Sequence, residues 1–259
     1  MPVMAIRGVT GSQGSDPSGW ASLGLNPIIP FVQTAFVWIG ALLFALSLAS
    51  GALVYGIRLG VPAPASAPLW PAVAINVVLF TVFALHHSLL ARTGAKAWVT
   101  RTVPADLERS VYVWVASLLF MAVCWLWQPL PGVAWHLTGP GSWAMWLLVL
   151  TGASMTGRAA SAIGVWELAG VRVPSPGRPV EFKVTGLFGF VRHPIYLAWL
   201  LMVFGVQPMT YSRLLFAVIS SAYLVVAIPL EEASLVEAFG EKYLAYQRQV
   251  RSRLLPGIW

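Results

Sequence analysis

Two stretches without a formal charge constrain this chain more than any motif does. No Asp, Glu, Lys or Arg stands between Leu59 and Ala91, or between Ser110 and Gly157. One bilayer crossing takes about 20 apolar residues in a helix, so the second stretch has room for two crossings and a turn. Gln128-Pro129-Leu130-Pro131-Gly132 supplies the turn, because proline and glycine interrupt helix and favour reversal. Composition agrees. Of 259 residues, 58% are hydrophobic and 10% charged, with a mean hydropathy of +0.76, whereas a soluble domain carries about 25% charged residues. A water-facing surface of ordinary composition cannot be built from this chain. Backbone polar groups in lipid must be satisfied internally, and the segments are too long for barrel strands. The chain therefore reads as an all-α, polytopic helical membrane protein. Six spans are predicted near 30–54, 69–90, 111–127, 143–163, 194–207 and 213–230, followed by a C-terminal amphipathic helix.

The net charge of +7 raises nucleic acid as a partner, but the distribution of the charges decides against it. On the six-span reading, 14 of the 16 basic residues fall on one side, and only Arg58 and Arg213 fall opposite. Cytoplasmic loops carry the Lys/Arg excess, which predicts an inner-membrane, multi-pass protein with both termini cytoplasmic. The basicity serves topology and favours anionic lipid headgroups. Residues 1–25 read as a flexible tail ahead of the first span, without a cleavable signal peptide. Cys124, the single cysteine, lies inside the third predicted span and is read as a packing residue.

Polar residues concentrate in the loops of the basic side and in the last third. Gly186-Leu187-Phe188-Gly189-Phe190-Val191-Arg192-His193-Pro194-Ile195-Tyr196 leads into the fifth span. Pro194 suits the first helical turn, where its missing N–H costs nothing, so His193 is placed at the N-cap and Tyr196 one turn inward. Glu231 and Glu232 are read as closing the sixth span at the membrane boundary, since burying a carboxylate is costly. Leu235, Phe239, Tyr243 and Tyr246 then recur at steps of four, four and three, which predicts one amphipathic helix.

Taken together, these clusters resemble the isoprenylcysteine carboxyl methyltransferase and phospholipid methyltransferase group. The resemblance rests on Arg192-His193-Pro194-x-Tyr196, then Glu231-Glu232, Leu235, Phe239-Gly240, Tyr243, Tyr246 and Val250, and it covers residues 160–256, including Glu167-Leu168-Ala169-Gly170-Val171-Arg172. The front half, with Leu85-His86-His87-Ser88, Leu107-Glu108-Arg109-Ser110-Val111-Tyr112 and Trp125-Leu126-Trp127, is similar to the bacterial methanethiol S-methyltransferase branch. The resemblance implies membrane helices in 26–165 and a methyltransferase core in 166–259. It also implies S-adenosylmethionine as cofactor without a Rossmann domain, and no strand–Gly-x-Gly–helix unit occurs here. Cofactor contacts are implied for His193, Tyr196, Glu231 and Glu232, with Glu231 the more critical carboxylate. Leu187, Tyr243 and Tyr246 are expected to line the cavity, and no metal is expected.

Two departures bear on the site. Ala198 stands where the group has Gly, and Val250 and Pro256 are six apart where five is usual. Either Arg253 or Ser252 therefore takes the terminal Arg place, which the resemblance gives a substrate-side role. If the acceptor is a thiol, Arg192 or Arg253 would favour its thiolate. Small thiols, prenylated thiol-acids and lipid amines all suit a pocket opening to the bilayer. The competing classes are a haem-binding isomerase-like protein, in which His86 or His87 is a ligand, and a non-catalytic membrane assembly factor.

Overall fold

The computed structural model describes residues 6–7, 28–89, 103–104, 107–171, 181–182, 184 and 186–259, with the main chain alone for 6–7, 28–30, 89 and 181–182. Arg92, Lys96, Arg101, Arg172, Arg178, Lys183 and nearly all of the predicted tail lie outside the described residues.

The described chain is helical nearly throughout. Its helices are α1 (Ile28–Gly56), α2 (Leu69–Leu89), α3 (Glu108–Leu126), α4 (Pro140–Ile163), α5 (Pro194–Gly205), α6 (Tyr211–Phe239) and α7 (Glu241–Gln249), with one further turn at Val165–Leu168. Two short antiparallel pairs join connecting segments: Ile6–Arg7 with Glu181–Phe182, and Val133–Trp135 with Met209–Thr210. Each predicted span falls on a helix. Among the described residues, four helical segments are long and apolar enough to cross a membrane, corresponding to α1, α2, α3 and α6. They expose large apolar side chains such as Trp38, Leu42, Val78, Val82, Leu118 and Val226, as lipid-facing helices do.

The other two predicted spans, α4 and α5, have a different character. α5 is apolar but only 12 residues long. α4 is diluted by Thr151, Gly152, Ser154, Thr156, Gly157 and Ser161, and its small residues let α5 approach. A Cβ on Gly152 would stand 2.6 Å from the Ala198 carbonyl. Ala198 is itself wholly buried. Small residues at such contacts are the usual device of membrane helix packing.

The end of α6 departs from the sequence expectation. Glu231 and Glu232 do not close the helix, which runs on to Phe239. Nothing in Ala233-Ser234-Leu235-Val236-Glu237-Ala238 breaks a helix, and Glu232 is buried against cationic partners. The predicted amphipathic helix is therefore divided. Gly240 takes a φ of +54°, a left-handed conformation open to glycine, and α7 starts after it in a new direction. Leu235 and Phe239 end α6, while Tyr243 and Tyr246 belong to α7. All four still pack in one core with Ala159, Ile163 and Phe188.

Candidate active site

The site is built where α5 begins. Pro194 occupies the first helical position and His193 the N-cap, at φ −122° and ψ 65°, as the sequence predicts. The two residues before Pro194 are held from the other end of the chain, since the Arg192 amide donates to the Ser252 carbonyl at 3.0 Å and the His193 amide to the Arg253 carbonyl at 2.9 Å. The extended segment after α7 is thus laid along the start of α5.

Glu232 is the hub of this junction. Its Oε1 accepts from Arg192 Nε at 2.6 Å and from His193 Nε2 at 3.3 Å. Its Oε2 accepts from Arg253 Nε at 3.1 Å, Gln247 Nε2 at 3.3 Å and Arg192 Nη2 at 3.4 Å. Five donors fill a group that offers about four lone-pair sites. Arg192 Nη1 also donates to the carbonyls of Val250 and Arg251, at 2.7 and 2.9 Å. Arg192, His193 and Glu232 are all buried, so three oppositely charged or polar groups satisfy one another away from solvent.

Glu231 faces another way. Its Oε2 accepts the Tyr196 hydroxyl at 2.7 Å and stands 3.8 Å from His193 Nδ1, beyond hydrogen-bond reach. The Tyr196 ring stacks on His193, with centroids 5.3 Å apart. Glu231, His193 and Tyr196 line a small cleft together with Phe188, Arg192 and Ile195. Glu232 does not line it.

The remaining predicted site residues sit behind that cleft. Leu187 packs against the core that holds Phe188, Tyr243 and Tyr246. The Tyr246 hydroxyl donates to the Phe188 carbonyl at 2.7 Å and so fixes the Gly186–Gly189 turn. Burial pushes both the Tyr243 and the Tyr246 phenol above the usual range. Of the two residues left open for the terminal Arg place, Arg253 points at Glu232, while the Ser252 hydroxyl accepts the Gly257 amide.

Sequence reasoning missed Gln247 and Tyr223 altogether, and it cited Ser88 and Tyr112 only as parts of matching segments. The Tyr112 hydroxyl bonds His87 Nδ1 at 2.7 Å, and the Ser88 and Tyr223 hydroxyls bond each other at 2.8 Å. Tyr223 lies eight residues before Glu231. That spacing leaves them about 80° apart around α6, so the sequence alone does not bring them together.

Comparison with known proteins decides what kind of protein carries this cleft. The chain is 38% identical over 198 residues to a methanethiol S-methyltransferase of Mycobacterium tuberculosis, covering 74% of this chain and 81% of that protein. It is 37% identical over 197 residues to a methanethiol S-methyltransferase of Pseudomonas deceptionensis, covering 73% and 75%. This chain belongs to the methanethiol S-methyltransferase family. It is also 29% identical over 199 residues to Nurim of Xenopus laevis, covering 70% and 69%. No family model matches the chain, and no solved structure matches it. Membership makes this protein a membrane methyltransferase, as the sequence motifs imply. Neither the haem-binding isomerase-like alternative nor the assembly-factor alternative is supported by these likenesses.

Proposed function

We propose that this methyltransferase takes its methyl group from S-adenosylmethionine and delivers it to a small thiol, at the cytoplasmic face of the cell inner membrane. The observation that carries the reading is the division of roles between adjacent carboxylates. Glu232 is consumed by the clamp, whereas Glu231 lines the cleft beside Tyr196 and His193. A carboxylate, a phenol and an imidazole against the apolar walls of Phe188 and Ile195 suit an adenosyl sulfonium with its amine and ribose hydroxyls. The cleft has about 10 Å³ of water-accessible space, about enough for one water, so seating the donor requires its lining to move. The exposed Gly189 and Phe190 border it, and a shift of that turn is the smallest rearrangement that opens it.

In this reading Glu231, His193 and Tyr196 hold the donor. Leu187, Tyr243 and Tyr246 support the turn behind it. S-adenosylmethionine supplies an already activated methyl group, so the protein's main task is alignment of donor and acceptor at about 3–3.5 Å. Arg253 is the cation best placed to attract an acceptor thiolate, because its side chain is about a third exposed while Arg192 is buried. The core occupies 166–259, and the helices of 26–165 pack beside it. The cytoplasmic assignment is supported by Arg109, Arg158, Arg192, Lys242, Arg248, Arg251 and Arg253 lying toward this end.

Calorimetry with S-adenosylmethionine tests the reading. Glu231→Gln is expected to weaken binding by about ten- to a hundred-fold, since a charge-assisted bond contributes about 1.5–3 kcal/mol. A folded Glu231→Gln protein with wild-type affinity would remove Glu231 from the site, and failure of the wild type to bind would remove S-adenosylmethionine.

A further inference from the structure

His86 is a half-buried polar side chain that the clamp and the cleft leave unexplained. Both its ring nitrogens are shielded from solvent and, among the described residues, neither has a hydrogen-bond partner. Its ring is nonetheless held, stacked on Tyr112 with centroids 5.7 Å apart and planes 16° apart. A neutral imidazole offers one donor and one acceptor, and native structures ordinarily pair both when they are buried. A held ring with one donor and one acceptor left open can bond a polar ligand.

The groups around it are already committed. His87 Nδ1 is bonded to the Tyr112 hydroxyl, Ser88 to Tyr223, and Tyr196 to Glu231. His86 and His87 both meet Tyr112, His86 against the face of its ring and His87 through Nδ1 at its hydroxyl. The Ser88–Tyr223 bond joins α2 to α6, the His87–Tyr112 bond joins α2 to α3, and the Tyr196–Glu231 bond joins α5 to α6. These side chains therefore gather at one junction of α2, α3, α5 and α6, next to the cleft. On the outer side of α2, Val82 and Leu85 are half exposed, which gives an apolar acceptor a route from lipid.

We propose that His86 receives the acceptor thiol and takes its proton. The proposal rests on the methyltransferase reading above. An unperturbed thiol titrates near about 8.5, so most of a thiol acceptor is protonated at neutral pH and needs a base. In the step, the acceptor S–H bond breaks, its proton goes to a ring nitrogen of His86, and its electron pair stays on sulfur. That pair forms the new S–CH₃ bond while the bond from the methyl to the donor sulfonium breaks, leaving its pair on the donor sulfur. The proton on His86 returns to water after the product leaves. The titratable groups around this junction are His87 on α2, Glu108, Arg109 and Tyr112 on α3, Tyr196 on α5, and Tyr223 and Glu231 on α6.

The test uses the full chain in lipid nanodiscs, with His86→Gln and His86→Asn as variants and two probes, ethanethiol and the more acidic thiophenol. A positioned base contributes about 10²–10⁴-fold. Methyl transfer to ethanethiol at neutral pH should therefore fall at least a hundred-fold in either variant and recover as pH rises toward the thiol's own titration. Transfer to thiophenol, largely ionised without help, should fall less than about fivefold, because the base is not needed there. S-adenosylmethionine affinity should stay at the wild-type value, which also verifies folding. Without donor, the ultraviolet difference spectrum of bound ethanethiol should show thiolate in the wild type and not in the variants. Equal losses on both thiols, or undiminished transfer to ethanethiol, with donor binding intact, would overturn the role of His86 alone. Absence of donor binding in the wild type would remove the methyltransferase reading and this proposal with it.

Discussion

Buried arginines tie the helix bundle at both ends, and the two ties differ in what each guanidinium meets. At one end Arg213, 1% exposed, donates to the carbonyls of Tyr55, Gly56 and Pro208 at 2.9, 2.5 and 2.6 Å. Arg58 does the same for the end of α3, reaching the carbonyls of Cys124, Trp125 and Trp127. The last carbonyls of a helix lack internal partners and carry partial negative charge, so a guanidinium satisfies them with no carboxylate involved. At the other end Arg192 also takes two carbonyls, but its Nε goes to Glu232, which is shared with His193, Gln247 and Arg253. A charge neutralised by main-chain dipoles has a fixed partner and holds the fold. One neutralised by side chains beside a cleft belongs to a set that a ligand can join.

Breaking the second tie should have the largest effect. Glu232→Ala leaves Arg192 buried without its carboxylate, a loss of about 3–5 kcal/mol, and is expected to lower the unfolding temperature in detergent sharply while abolishing donor binding. Arg213→Met should cost about 1.5–3 kcal/mol through the carbonyls it deserts, with unchanged S-adenosylmethionine affinity in the folded fraction. A folded Arg213→Met protein that has lost the donor would erase the contrast between the two ends.

Smaller changes sharpen the contrast. Gly240→Ala forces a side chain into a left-handed conformation, about 1–2 kcal/mol, and should loosen α7 and the segment after it, seen as faster amide exchange there than at Arg213. Tyr246→Phe removes the bond to the Phe188 carbonyl and should cost about 0.5–1.5 kcal/mol. The same phenol carries a pH signature. Its folded-state titration lies above the ordinary value of 10, so its contribution is complete below pH 10 and is lost as pH rises beyond it, where the unfolded chain gives up the proton first. Alkaline denaturation scans should show a shallower decline for Tyr246→Phe than for the wild type.

The elements that the sequence revealed are those set by short-range rules. The six apolar segments, the turn at 128–132 and the start of α5 at Pro194 all follow from hydropathy and from backbone chemistry within a few residues. The end of α6 was misread for a physical reason. A pair of glutamates looks like a membrane boundary when their partners are unknown, yet Glu232 lies buried with Arg192, forty residues away. Burial of a charge depends on its partner, and sequence distance hides the partner.

By itself, the order of residues determined that this chain must be helical and membrane-embedded, and which family motif it carries. Those properties come from composition, period and fixed spacing, which no packing arrangement can alter. The tertiary structure alone decided that Glu232 locks a clamp while Glu231 faces a cleft, that Arg58 and Arg213 cap helix ends, and that both nitrogens of His86 are without a partner among the described residues. Neighbouring side chains on a helix diverge by about 100°, so two adjacent glutamates or two adjacent histidines look equivalent in the sequence. They become different residues only through their contacts: Arg192 for one glutamate and Tyr196 for the other, the Tyr112 ring for one histidine and its hydroxyl for the other.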